Sequence, residues 1–155
     1  MRAVLQRVRR AAVSVDGHIV GAVDAGLLVL LAVGRGDAVR DAGWVADKVA
    51  GMRIFPDGSA AMTLDVREVG GQVLSVSQFT LYADVRRGRR PSFSDAAPAE
   101  SARLLWEHFN GCLRAAGVPV ATGQFQADMD VELVNWGPVT VLLESPRRPE
   151  RAGID

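Results

Sequence analysis

The stretch Ser77-Gln78-Phe79-Thr80 has the clearest chemical content in this 155-residue chain. It closes an apolar, strand-like run that begins at Gln72. Strand alternation puts Gln78 and Thr80 on one face and Ser77 and Phe79 on the other. Polar groups at the end of such a run suit the placing of a water or a carbonyl. Thr80 is the tempting nucleophile, but a neutral hydroxyl needs a neighbouring base. No motif brings either histidine, His18 or His108, near it. His18 adjoins a turn signal and reads as a solvated turn residue, and His108 falls on the polar side of a helical pattern. There is no Gly-x-Ser-x-Gly elbow, no His-Glu-x-x-His and no Cys-x-x-Cys.

Two further stretches carry chemistry. Asn135-Trp136-Gly137-Pro138-Val139-Thr140 lies between the apolar runs Val131 to Val134 and Val139 to Leu143. Gly tolerates backbone angles closed to other residues, and Pro fixes φ, so the pair reads as a tight turn between two strands. The bland form is an ordinary hairpin turn with a trans bond, although X-Pro prefers trans by only about 0.5–1 kcal/mol. Arg86, Arg87, Arg89 and Arg90 share a loop with Gly88 and Pro91. Such a cluster is either a solvated charged loop or a phosphate contact, for which the planar guanidinium fork is suited.

Bulk composition narrows the class. Lys and Arg total 18, Asp and Glu total 18, so the formal net charge is zero. A general nucleic-acid binder of the basic kind is excluded, and RNA contact would need a local patch. The single cysteine, Cys112, excludes an internal disulfide and a Cys-rich metal site. Two histidines are too few for most zinc sites. No metal and no cofactor are expected. The apolar run Leu27 to Val33 is too short to span a bilayer, and no signal segment opens the chain. A reduced, cytoplasmic, soluble protein without membrane contact is the expectation.

Ser-Gln-Phe-Thr-Leu at 77–81 and Asn-x-Gly-Pro-Val-Thr at 135–140 resemble the two signature motifs of the D-aminoacyl-tRNA deacylases. Gln6-Arg7-Val8, Gly26 to Leu31, Arg53-Ile54-Phe55, Arg90 to Ser94 and Ala127-Asp128-Met129 extend the resemblance to about Leu143. It implies hydrolysis of the ester between a D-amino acid and the 3′-terminal adenosine of tRNA, with glycyl-tRNA also accepted. It implies a barrel-like sheet with helices packed on it, and a homodimer with its site at the subunit interface. Ser77, Gln78, Phe79 and Thr80 would form the catalytic segment. Gly137-Pro138, in cis, would enter the site of the other subunit as a main-chain wall that collides with L side chains. Arg7 would brace that segment. Phe125 and Met129 match positions bordering the terminal adenine, though both also read as core residues. Arg89 and Arg90 would meet tRNA phosphates. Trp136 is bulkier than the acidic residue associated with its place. Two other readings stay open: a same-fold deacylase with trans Gly-Pro that takes a small L-amino acid, and a non-catalytic RNA- or nucleotide-binding barrel.

The elements that must position these residues follow from periodicity. Two apolar alternations, Ala3 to Val8 and Ala11 to Val15, are interrupted at Arg9-Arg10, a bulge or bend signal. Asp16-Gly17 predicts a type I′ hairpin turn. Leu27 to Val33 reads as a strand buried on both faces. Ala42, Val45, Val49 and Met52 recur at helical spacing, with Asp37 as N-cap. Arg53 to Phe55, Gln72 to Phe79, Val120 to Phe125 and Asp130 to Val134 read as strands. A second helix begins at Pro98 and carries the stripe Leu105, Phe109, Cys112, Leu113, Ala116. The pattern predicts one α+β domain over 1–144, largely antiparallel with two helices. Residues 145–155, rich in Pro, Arg and Glu, read as a disordered tail.

Overall fold

The computed structural model describes residues 1–59 and 61–146. The tail expected over 145–155 lies, from 147 onward, outside the described residues; Ser145 is buried, with its hydroxyl accepting from the Met1 amino group at 2.7 Å. In chain order the elements are β1 (Arg2–Val15), β2 (His18–Val23), β3 (Gly26–Ala32), α1 (Val39–Gly51), β4 (Phe55–Pro56), β5 (Met62–Leu64) and β6 (Gln72–Ser77). A 3₁₀ turn (Phe79–Tyr82), α2 (Ala99–Ala115), β7 (Val120–Thr122) and β8 (Asp130–Glu144) complete the fold. The main sheet runs β2-β1-β3-β6-β7, with β8 on the other edge of β1. β1 pairs antiparallel with β2, β3 and β8, whereas β3–β6 and β6–β7 are parallel. The sheet is therefore mixed, mostly antiparallel and nearly closed. At the closure Gly21 lies against Thr122, so close that a Cβ on Gly21 would fall 2.4 Å from the Thr122 carbonyl oxygen.

Two cores result. One lies between the sheet and the helices, and holds Leu5, Leu27, Val29, Leu31, Val45, Val49, Phe55, Phe109 and Leu113. The other fills the barrel with Val8, Ala11, Val13, Val23, Leu28, Leu74 and Val76. β3 feeds both, as a strand with no polar face should. β1 changes sides. Ala3 and Leu5 face the helices, but Ala11 and Val13, also odd-numbered, face the barrel interior. Strand parity forbids this without an extra residue. It is supplied at Arg9-Arg10, where the β1–β8 register shifts and both arginines are exposed. The Asp16-Gly17 turn has φ of 49° and 77°, as a type I′ turn requires.

The structure differs from the sequence reading at several elements. Asp37 does not cap α1, whose N-cap is Ala38. Its carboxylate instead accepts from the Gly34 amide at 2.6 Å and the Met1 amino group at 2.8 Å, while Asp41 Oδ2 takes the Ala38 amide. In α2 the buried stripe is Trp106, Phe109, Asn110 and Leu113, rotated from the one expected. Trp106 draws it round, because its indole N–H donates to buried Ser75 Oγ at 2.9 Å. β7 stops at Thr122, which leaves Phe125 in a turn, and β6 stops at Ser77.

Candidate active site

Past Ser77 the chain leaves the sheet. Gln78 still donates its amide to Leu31 O at 2.7 Å, then Phe79–Tyr82 coils into the 3₁₀ turn. Gln78 and Thr80 are thus not strand neighbours on one face. The coil nevertheless joins them, with Gln78 Nε2 donating to Thr80 Oγ1. Phe79 and Thr80, as the first residues of the turn, have no intrahelical acceptor for their N–H groups, and no other backbone acceptor takes them among the described residues. Phe79 is exposed and stands edge-on to Phe93, with ring centroids 5.0 Å apart.

Beside this segment lies a cavity of about 750 Å³ lined by Ser77, Gln78, Phe79, Trp106, Phe125 and Met129, among others. The size is within the range of small-ligand sites. Trp106 and Phe125 form its aromatic wall, with centroids 5.8 Å apart at an interplanar angle of 40°. Trp106 was not singled out as a site residue from the sequence. The signal that finds it is an indole in a helix that follows the motif, with Ser75 two residues before Ser77 as its partner. Neither histidine lines the cavity. His18 Nδ1 lies 2.9 Å from Asp16 O on the β1–β2 turn, and His108 Nε2 is 3.4 Å from Cys112 Sγ on α2. Arg89 and Arg90 are exposed on their loop and do not line the cavity; Arg86 is held by Asp84 at 2.6 Å. Among the described residues no cluster of His, Cys, Asp or Glu is arranged to hold a metal ion, and no helix is long and apolar enough to cross a membrane.

The Gly-Pro segment is not the expected hairpin turn. β8 runs unbroken through it, antiparallel to β1 on both sides. Asn135 pairs with Val8 and Thr140 with Gln6, so Trp136, Gly137, Pro138 and Val139 stand opposite Arg7 alone. The segment is an enlarged bulge, four residues against one. It sits where β8 crosses between cores, since Val131 and Leu133 pack on the barrel interior and Val139, Val141 and Leu143 on the helix side. The sequence shows two apolar runs and a Gly-Pro break, which a bulge and a turn share.

Asn135 clips the bulge from within. Its Oδ1 accepts from the Val139 amide at 3.0 Å and its Nδ2 donates to Thr140 Oγ1 at 3.1 Å. Arg7 braces it from β1: Nε donates to Trp136 O at 2.9 Å and a terminal nitrogen to Ile54 O at 2.6 Å. Burial, and after it the charge of Arg9, lower the Arg7 pKa. The Arg7 guanidinium lies 4.5 Å and that of Arg9 3.8 Å from the Trp136 ring centroid. The Gly137–Pro138 peptide is cis, and both residues are exposed. Neither lines the cavity of its own chain. One chain therefore gathers Ser77, Gln78, Phe79, Phe125 and Met129 about the cavity. Arg7, Gly137 and Pro138 form a separate group.

Fold and cavity define an α+β barrel protein with a preformed cavity of small-ligand size walled by aromatic rings. A family model described as D-Tyr-tRNA(Tyr) deacylase matches residues 4–144. The chain is 57% identical over 147 residues to the D-aminoacyl-tRNA deacylase of Geobacter metallireducens, covering 95% of this chain and 97% of that one. It is 60% identical to that of Anaeromyxobacter dehalogenans, with 95% and 99% covered. Among solved structures, a c-Myc DNA Unwinding Element Binding Protein shares the fold at a TM-score of 0.88 and 36% identity, over 95% of this chain and all of that one. The chain belongs to the D-aminoacyl-tRNA deacylase family.

Proposed function

We propose that the protein hydrolyses the ester joining a D-amino acid, or glycine, to the 3′-terminal adenosine of tRNA, and rejects L-aminoacyl-tRNA. The observation that carries this reading is the place of the Ser77–Thr80 segment: in a chain related over nearly its whole length to named deacylases, Ser77, Gln78 and Phe79 line a cavity large enough for a nucleoside, and Thr80 follows at its rim. The terminal adenosine occupies that cavity, between Trp106, Phe125 and Met129. The ester carbonyl lies over the Phe79 and Thr80 amides, whose unpaired N–H groups hold the oxyanion. Such a donor lowers an acyl-transfer barrier by roughly 3–4 kcal/mol. The ester is already activated relative to an amide, and the neighbouring ribose hydroxyl assists its departure. Thr80 is not a nucleophile in this mechanism, because its Oγ1 is taken by Gln78 and no histidine stands by as a base.

The wall that excludes L side chains is the main chain of Gly137-Pro138, supplied by the second subunit of a homodimer. Two observations support the exchange. The segment is exposed and apart from its own cavity. Among the described residues β8 pairs only with β1, so this fifteen-residue strand keeps its other edge open there, and its Leu142 is 80% exposed. Long open edges invite pairing with another chain. Glycine has no side chain to be rejected, so its ester passes the wall. The test is ester loss from matched D-, L- and glycyl-tRNA. Rapid loss of the first and last with the L-ester spared is the expected result. No turnover of any would turn the reading into a non-catalytic RNA-binding barrel, and preference for a small L-amino acid would remove the filter.

Arg89 and Arg90 are exposed with Arg87 on a loop that begins a few residues after the catalytic segment. Replacing both by Ala should weaken tRNA binding and reduce the slope of log K against log salt by about 1–2, as phosphate contacts are lost. An unchanged affinity across a salt series would return them to the solvated-loop reading.

A further inference from the structure

We propose that Trp136 is a positioning residue that fixes the Gly137–Pro138 segment and so sets how stringently L-aminoacyl esters are rejected. The inference rests on the reading of that segment as the chiral filter. Four residues of β8 stand opposite one residue of β1, so the bulge lacks a regular ladder to hold it. Asn135 and Arg7 fix main-chain atoms of its ends, at Val139 N and Trp136 O. Trp136, at the first position of the bulge, and Val139, at its last, turn their side chains inward, and Trp136 is the one joined directly to Gly137. Its ring packs on the helix-side core, edge-on to Phe55 at 6.3 Å and 66°, while Gly137 and Pro138 next to it are exposed. Arg7 and Arg9 close over the indole at 4.5 and 3.8 Å. The ring is therefore held from the core by Phe55 and from β1 by two guanidiniums. Its own carbonyl is the atom that Arg7 grips, so ring and main chain are pinned together one bond from Gly137. A wall made of main chain is only as sharp as its placement.

The measurement is kcat/KM for L- and for glycyl-tRNA carrying the same tRNA body, reported as the L-to-glycyl ratio. The ratio cancels any loss of folded or active enzyme, which a merely structural role would produce. Trp136→Ala should raise it by about tenfold or more, since a displacement of about 1 Å at a reacting centre can change rates by a hundredfold. Trp136→Phe, which keeps an aromatic face for the arginines, should return it to within about threefold of the native value. Arg9→Ala should move it in the same direction as Trp136→Ala but less. If Trp136→Ala does not fold, Arg9→Ala decides, because Arg9 is exposed and its loss leaves both cores intact. An unchanged ratio in Trp136→Ala, or in Arg9→Ala when the former is unfolded, overturns the proposal while the filter reading stands. Native protein that hydrolyses L- and D-esters alike overturns the filter reading itself, and this inference with it.

Discussion

Gly137→Ala is expected to lower kcat/KM for D-aminoacyl-tRNA by about a hundredfold while the protein stays folded. Gly137 has φ of +138°, a region that L side chains rarely adopt. Holding an alanine in such a conformation costs on the order of 1–3 kcal/mol. Space is also missing. A Cβ there would lie 2.8 Å from Val139 Cγ2, 2.9 Å from the Val139 amide nitrogen and 3.1 Å from an Arg7 terminal nitrogen. The Val139 methyl and the guanidinium can give way, but the amide cannot without shifting the bulge, since Asn135 Oδ1 holds it. Relaxation then displaces the exposed main chain that is proposed to face the partner's substrate. Gly137 belongs to an exposed bulge, not to either core, so the loss is confined to that strain and the thermal midpoint should fall by about 2–12 °C. Single-turnover ester loss beside a melting curve separates the two effects. Activity within about threefold of native, with the clash this close, would show that the segment does not touch the reaction.

That bulge also marks where sequence reading stops. The alternation of β1, the type I′ turn and the doubly buried β3 were legible because each is a local pattern with one physical cause. The interruption at Arg9-Arg10 was legible as a bulge, yet its consequence, the change of core between Leu5 and Ala11, was not. Facing sides are set by the partner strand, and Asn135 to Thr140 lies far away in sequence. The same distance made a bulge look like a turn: both need Gly and Pro between apolar runs. Only the continued pairing of β8 with β1 on either side separates them. The Ser77–Thr80 segment was singled out by its residue types, but its geometry was misjudged. The polar-apolar alternation continues through Phe79, whereas hydrogen bonding to Leu31 ends at Gln78 and the chain coils. Trp106 was missed because its helical position competes with Leu105 for the buried face. The deciding contact, Ser75 Oγ, is thirty-one positions away.

Arg7→Ala should destabilise the protein by about 3 kcal/mol, the largest loss of stability expected of any single charged side chain here. The residue is 7% exposed, and its guanidinium serves two main-chain carbonyls from distant segments, Ile54 after α1 and Trp136 in the bulge. A hydrogen bond from a charged donor contributes about 1.5–3 kcal/mol, and removing the donor leaves buried acceptors unpaired. The stem and fork also fill space against the Trp136 ring. Urea titration should show a lower midpoint at unchanged slope if only the native state is affected. Arg7→Lys should recover less than half of the loss. It keeps the charge, but an ammonium presents no planar fork to span two carbonyls and a ring face. Arg7→Met should recover packing and little else. Under conditions where Arg7→Ala is still folded, hydrolysis of D-aminoacyl-tRNA should also fall by more than about tenfold, because the bulge loses its grip on β1 at Trp136 O. Stability within about 1 kcal/mol of native would mean that water replaces both bonds, and that the brace on the Gly137–Pro138 segment lies in Asn135 and Trp136 instead.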